Sequence, residues 1–301
     1  MKVLRTVAEL RSELAPARRD GLRIGLVPTM GALHEGHLSL IGHAREECDV
    51  VVVSLFVNPA QFNEHADLER YPRREADDEA LAAAAGADVL FAPSSEEVYP
   101  AGFATSVEVL GLTDRLEGAV RGSGHFRGVT TVVTKLLGMA QPDVAYFGQK
   151  DAQQVLVVRR LVADLNLPVQ VAACPTVREP DGLAMSSRNA LLDPADRARA
   201  VGLSRALAAA AALASAGERS GPALLAAAHA ELARLEVLPE YLALVDAGTL
   251  EPVDELAGEA LLAVAARFGE VRLIDNAVLA PTAVPGPRPA SQGERFTTCS
   301  A

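Results

Sequence analysis

The chain has 301 residues, of which 50% are hydrophobic and 22% charged, with a formal net charge of −11 at pH 7. This is the make-up of an ordinary globular protein with material for one large core or two modest ones. It argues against a general nucleic-acid binder, which presents a basic face, but leaves room for a locally basic pocket that takes a small anion. Cys48, Cys174 and Cys299 stand far apart, with neither a disulfide nor a metal spacing, which fits a reducing cytoplasm. The N-terminus lacks the apolar stretch of a signal peptide, and the alanine-rich run at 206–214 is too short for a membrane span, so a soluble protein is expected.

In chain order, apolar runs predict strands near 23–28, 50–56, 88–92, 143–147 and 169–173. Helical periodicity falls between them, at about 37–47, 74–85, 127–140 and 151–164. Val50 to Phe56 is apolar almost throughout, as in a strand covered on both faces. The alternation implies an α/β fold, a doubly wound Rossmann-like parallel sheet with helices on both sides. After residue 177 the pattern changes. Two alanine-rich helices, roughly 194–215 and 221–235, precede short strands near 241–246, 261–267 and 271–276. The division expected is a Rossmann-like domain over 1–176, a smaller C-terminal α+β domain over 177–280 that forms a lid, and a disordered tail over 281–301, where prolines are frequent and no period survives.

Ligands of such sheets bind beyond the carboxyl ends of the strands, near the point where strand order reverses. The His34/His37, Asn58-Pro59-Ala60-Gln61 and Gly148-Gln149-Lys150-Asp151 loops all follow predicted strands and can converge there on one ligand. Three loops of the chain, not all of them at strand ends, carry chemistry. The first, Pro28-Thr29-Met30-Gly31-Ala32-Leu33-His34-Glu35-Gly36-His37, runs from a strand into a helix. The bare N–H groups and the dipole at that helix start favour an anion, and two imidazoles add donors, so the loop reads as a nucleotide-phosphate site. A zinc pair would need the histidines four apart on a formed helix, and a plain helix cap would need only one of them. The second loop, Gly148-Gln149-Lys150-Asp151, offers an ammonium to phosphate and a carboxylate to ribose, or else an Asp151 helix cap. The third, Met185-Ser186-Ser187-Arg188, follows the turn Pro180-Asp181-Gly182. It reads either as a solvated turn or as a mobile arm that closes over a triphosphate. The chain has no P-loop, and its 122–128 glycines miss the dinucleotide spacing by one residue.

With the further motifs Phe56-Val-Asn58-Pro-Ala-Gln61-Phe, Leu68-Glu-Arg-Tyr71-Pro-Arg, Gly124-His125-Phe-Arg-Gly-Val and Asp181-Gly-Leu-Ala-Met185-Ser-Ser-Arg188-Asn, the chain resembles the pantothenate synthetases, or pantoate–β-alanine ligases, of the nucleotidylyltransferase superfamily. The motifs run in family order from about 20 to 192, with softer similarity to about 280. There are two departures: an extra residue in Arg121-Gly-Ser-Gly before His125, and Gln149 where many members have Glu.

The resemblance implies an ATP-dependent ligase that joins pantoate to β-alanine through pantoyl adenylate, with Mg2+ and as a homodimer. It implies catalytic roles for His37, His34, Lys150 and Arg188. ATP would be bound by Met30, Gly31, His34, His37, Gly148, Gln149, Lys150, Asp151, Val177 and Met185 to Arg188, the last four closing over the phosphates. Pantoate would be held by Gln61 and Gln154, with Gln61 also bordering β-alanine and with Asn58, Tyr71 and Arg121 in the pocket wall. Magnesium would be contacted by Asp77 or Asp78. A nucleotidylyltransferase that stops at nucleotide transfer and an ATP-sensing module without turnover are the rival readings. Release of AMP and of pyrophosphate separates them.

Overall fold

The computed structural model describes residues 1–62, 68–69 and 71–281. Arg70 and the predicted tail from 282 onward lie outside the described residues. Six strands form one wholly parallel sheet: β1 (Lys2–Leu4), β2 (Ile24–Thr29), β3 (Val50–Leu55), β4 (Val89–Phe91), β5 (Val144–Gly148) and β6 (Gln170–Cys174), in the order β1-β4-β3-β2-β5-β6. The helices between them are α1 (Val7–Arg19), α2 (Glu35–Glu47), α3 (Glu75–Ala84), the short α4 (Ser95–Val98) and α5 (Glu117–Arg121), α6 (Ser123–Ala140) and α7 (Ala152–Asp164). One core, with Leu10, Leu26, Val52 and Leu136, lies on one face of the sheet. A second, with Ile41, Val53, Leu90 and Tyr146, covers the other. Burial on both faces is why these strands read as unbroken apolar runs.

Strand order reverses at β2. It pairs with β3 along all six residues from Ile24 to Thr29, but with β5 only at Gly25 and Leu26. Beyond Leu26 the two strands part, and a crevice opens at their carboxyl ends. All three predicted strand-end loops face it.

Strand β1 and helix α1 were absent from the sequence reading, as were the short α4 and α5. Helix α1 begins with a capping box, Thr6 accepting from the Glu9 N–H and Glu9 from the Thr6 N–H, and it carries Pro16 within its length. The proline disguised the helix, because it removes one backbone donor where helical pattern is sought. The helix predicted over 194–215 is in fact two, α8 (Pro194–Ala200) and α9 (Gly202–Ser215), parted at Val201. Periodicity alone runs through the break, after which α9 packs on β9 as well as on the β8 strand that α8 touches.

That second sheet is antiparallel: β7 (Pro239–Asp246), β8 (Ala260–Phe268) and β9 (Val271–Leu279), joined by hairpin-like pairing and covered by α9 and α10 (Gly221–Arg234). Its own core includes Leu203, Leu207, Leu224, Leu262 and Phe268. The opposite face of the sheet meets the parallel unit through charged contacts. Arg272 of β9 makes two 2.7 Å hydrogen bonds to Glu117, and Tyr241 of β7 donates to the same carboxylate at 2.8 Å. Arg121 adds a contact at 3.0 Å. Burial alone would raise the Glu117 carboxyl, but the Arg272 hydrogen bonds and charge, with help from Arg121 and Tyr241, outweigh it and hold it at about 2. A buried pair of this kind is costly to break from one side only. Arg272→Met is therefore expected to lower stability by about 3–5 kcal/mol, and Glu117→Leu combined with Arg272→Met to recover much of it. Denaturant unfolding of the single and double variants measures both.

Candidate active site

A cleft of about 300 Å3 lies over the β2/β5 crevice, between the parallel sheet and the inner face of β7–β9. It is lined by Met30, His34 and His37 from the first loop, and by Asn58, Gln61, Tyr71 and Arg121. The walls continue with Gly148, Lys150, Asp151 and Gln154, then Val177 and Met185 to Arg188. Gly31 and Gln149 are not among the lining residues.

Gly31 holds φ +88, and a Cβ there would meet Leu55 at 2.8 Å and the Asp78 carboxylate at 2.9 Å, so only glycine fits the turn. Asp78, buried on α3, accepts from the Ala32 N–H at 2.9 Å and the Leu33 N–H at 2.7 Å. Both its oxygens are committed to the loop backbone, and Asp77 on the next position is exposed to solvent. Neither lines the cleft. Asp78 braces the first loop from behind. Among the described residues no three Asp, Glu, His or Cys side chains gather into a metal site, so these residues offer no all-protein cage for Mg2+.

His34 is the N-cap of α2. Its Nδ1 accepts from the Gly36 N–H at 3.1 Å, while the His37 Nδ1 lies 3.4 Å from the His34 N–H. The two rings sit 4.2 Å apart. The capping role and the ligand role are thus compatible. Each Nδ1 acts as an acceptor at the helix start, which fixes both imidazoles as the Nε2–H tautomer and leaves Nε2–H as the donor that remains. Burial, then Lys150, lowers the His34 pKa. Burial, with His34 and Lys150 behind it, takes His37 down to about 3. Both rings are neutral donors in the ligand-free protein.

Lys150 follows β5 and donates to the Met185 carbonyl at 2.9 Å, tying the third loop to the strand end. Burial lowers its pKa, partly offset by Asp151 and Asp275. Asp151 occupies the N-cap position of α7 without capping it, so its carboxylate is left to the cleft. Asn276 of β9, which the sequence did not single out, donates to the Gln149 and Lys150 carbonyls at 3.0 and 2.8 Å and so pins the 148–151 turn. Its neighbour Asp275 makes a two-pronged pair with Arg178 at 2.7 and 3.1 Å, anchoring the strand that enters the third loop. At the far end of that loop Arg197 binds both Glu179 and Asp181. Both ends of the loop are fastened, leaving the Met185–Arg188 tip between them. A buried Asp-Asn pair on a late strand was the available signal for Asp275 and Asn276, but nothing local ties such a pair to a turn about 125 residues earlier.

On the other wall, the Gln61 amide donates toward the Met30 sulfur at 3.1 Å and accepts from Asn58 at 3.0 Å. Asn58 is itself buried, with every polar atom committed, so it supports Gln61 from behind rather than presenting itself to a ligand. The Gln154 side chain has no hydrogen-bond partner among the described residues. The Arg121 guanidinium is drawn to Glu117. Tyr71 is packed edge-on against Phe62.

A parallel sheet with a helix N-terminus, two neutral imidazoles, a buried ammonium and a serine–arginine loop around one crevice defines a nucleotide-binding α/β protein built to grip a polyphosphate. The sequence profile of the Pantoate-beta-alanine ligase family matches residues 2–278, and the chain belongs to that family. It is 57% identical over 280 residues to "Pantothenate synthetase 1" of Bradyrhizobium diazoefficiens, covering 93% of this chain and 98% of that one. It is 55% identical to the pantothenate synthetase of Moorella thermoacetica, covering 93% and 99%. Among solved structures, pantothenate synthetase from Thermus thermophilus superposes with a TM-score of 0.88 at 50% identity, covering 93% of this chain and all (100%) of that one. The pantoate-beta-alanine ligase of Francisella tularensis, complexed with beta-gamma ATP and beta-alanine, gives 0.76 at 35% identity over 92% and 97%.

Two outcomes follow from this geometry. Nitrogen-15 NMR of the ligand-free protein should show His37 neutral, with Nδ1 bare, from pH 8 down to about 4. Because its folded pKa of about 3 lies below the unfolded value near 6.5, only the unfolded chain takes up this proton over that interval, and the His37 contribution to stability falls as pH drops through it. Asp78→Ala should weaken ATP binding by about tenfold at every magnesium concentration, as calorimetric titration can show, because it frees the loop rather than a metal.

Proposed function

We propose that the protein condenses pantoate with β-alanine at the expense of ATP, through pantoyl adenylate, releasing AMP and pyrophosphate. The observation that carries this reading is the convergence of His34, His37, Lys150 and Ser186–Arg188 on one cleft whose other wall offers the Gln61 and Gln154 amides. A pantoate carboxylate oxygen attacks the α-phosphorus as the bond to pyrophosphate breaks. The β-alanine amine then attacks the acyl carbon and AMP departs.

Positioning and charge stabilisation suffice for both steps. The Nε2–H groups of His34 and His37 and the amides at the start of α2 donate to phosphate oxygens, which builds on the anion preference of a helix N-terminus, about 0.3–2 kcal/mol. A triphosphate beside His37 favours its protonated form, so the ring can pass from donor to acid as ATP binds. Lys150 exchanges the Met185 carbonyl for phosphate, which releases the third loop to close with Arg188. Asp151 meets the ribose, Val177 offers its backbone to the adenine, and Gly31, Gly148 and Gln149 shape the floor. Gln61 and Gln154 hold pantoate, with Tyr71 and Arg121 at its margin.

Magnesium is assigned to the nucleotide substrate, carried on its phosphate oxygens, in keeping with the absence of a carboxylate cluster among the described residues. Residues 1–176 are taken as the nucleotide and pantoate domain and 177–280 as a lid over it. Exposed Phe103, Leu110 and Val120, close together in sequence, support a homodimer, and the free buried thiols Cys48 and Cys174 support a cytoplasmic setting.

With ATP, magnesium, D-pantoate and β-alanine all supplied, AMP should accumulate, and omission of either acid should abolish it. A stable nucleotide conjugate in place of AMP would point to a plain nucleotidyl transfer. His37→Ala and Lys150→Ala should each lower pantoate-dependent ATP–pyrophosphate exchange by at least about a hundredfold while circular dichroism stays unchanged. Near-normal exchange in both variants would refute these roles.

A further inference from the structure

Tyr99 lies just after α4, outside every motif and outside the lining of the cleft. Its hydroxyl nonetheless donates to the Asn58 Oδ1 at 2.8 Å. The same oxygen accepts from the Ala60 N–H at 3.3 Å, and the Asn58 amide nitrogen donates to the Gly128 carbonyl at 3.1 Å and to the Gln61 Oε1 at 3.0 Å. Two of these partners are backbone groups whose donor or acceptor character is fixed. A flipped Asn58 would set its oxygen against the Gly128 carbonyl and its NH2 against the Ala60 N–H. The Asn58 amide therefore has one orientation, and it dictates the next: Gln61 must turn its oxygen inward to Asn58 and its NH2 outward, where it now rests on the Met30 sulfur.

Helix α6 closes the frame. A Cβ at Gly128 would lie 2.3 Å from the Ala60 carbonyl oxygen, so glycine lets the helix touch the 58–61 turn, and His125 Nδ1 meets the Gln61 carbonyl at 2.8 Å. The Tyr99 ring is held independently of its hydroxyl. It packs against Phe56 and edge-on against Phe103, with the Lys135 ammonium 5.9 Å from its centre. Burial raises the phenol to about 12, so it stays a donor across the working pH range.

We infer that Tyr99 is a positioning residue: it holds in place the Asn58 amide whose orientation the Ala60 and Gly128 backbone groups set, and so steadies the Gln61 amide, whose N–H donor selects an acid substrate with a hydrogen-bond acceptor at that point. This rests on the assignment of Gln61 to pantoate made above. The hydroxyl touches neither substrate nor cleft. Along this line of contacts the nucleotide loop is met where the Gln61 NH2 rests on the Met30 sulfur, beyond the amide that Tyr99 steadies.

Tyr99→Phe removes the donor and keeps the ring. In full-length protein it should raise the pantoate KM in ATP–pyrophosphate exchange about tenfold, the worth of one hydrogen bond of about 1.4 kcal/mol. The ATP KM and kcat should stay within about twofold. In a Gln61→Ala background the same substitution should change kcat/KM for pantoate by less than about twofold, because its target is gone. An unchanged pantoate KM, an equal rise in both KM values, or an undiminished effect without Gln61 would overturn the assignment. So would a Tyr99→Phe chain that does not fold, since the hydroxyl would then be structural. Failure of the unmodified protein to exchange pyrophosphate when given pantoate would instead refute the ligase reading.

Discussion

Everything in the site depends on β2 leaving β5. Two adjacent parallel strands that stayed paired to their ends would bring their following loops into contact and close the crevice. Here pairing stops after Leu26, while β2 remains joined to β3 through Thr29. The loop after β2 can then enter α2 on one side of the gap, and the loop after β5 can enter α7 on the other. The helix start, the imidazoles and the ammonium face each other across a space that the sheet itself keeps open.

The electrostatics of that space follow from burial and from neighbours of like sign. Burial lowers the proton affinity of His34, His37 and Lys150 alike; the Lys150 charge adds to it at both histidines, while Asp151 and Asp275 partly offset it at Lys150. Such a cluster is poorly satisfied when the site holds no anion, and a triphosphate relieves it. Of the carboxylates nearby, Glu117 is occupied by Arg272 and Tyr241, Asp275 by Arg178 and Asp78 by loop amides, while Asp151 is left to the cleft. Apart from Asp151, the negative charge of this acidic protein is thus spent on its frame or turned to solvent, and the cleft stays open to anions despite a net charge of −11.

The second sheet contributes side chains that bear on the cleft from above. Asn276 pins the turn that carries Lys150, Asp275 steadies Arg178 at the base of the third loop, and Arg272 fixes Glu117 and with it Arg121. The covering unit therefore shapes the floor as well as the roof. The third loop is held at both ends, by Arg178 on one side and Arg197 on the other, and its Met185 carbonyl is tied to Lys150.

The alternation of strands and helices, the buried character of β3, the two histidines at a helix start and the loops at Gly148–Asp151 and Met185–Arg188 were all legible in the amino-acid sequence, because each is a local pattern. Periods of 2 and 3.6, glycines in turns and polar groups at strand ends declare themselves within about ten residues. The sequence did not disclose α1, masked by Pro16, the break at Val201, or the true partners of Asp78 and Asn58. It also gave no reason to notice Tyr99, Asn276 or Arg272. Those depend on which backbone carbonyl or amide lies within about 3 Å of a side chain from a remote segment, and that distance is set by how sheets and helices pack. The linear order of residues thus determined the kind of ligand grip this protein has. Only the folded chain decided which groups are spent holding the frame and which remain to meet the substrate, since a hydrogen-bonding group can be counted as free only once its neighbours in space are known.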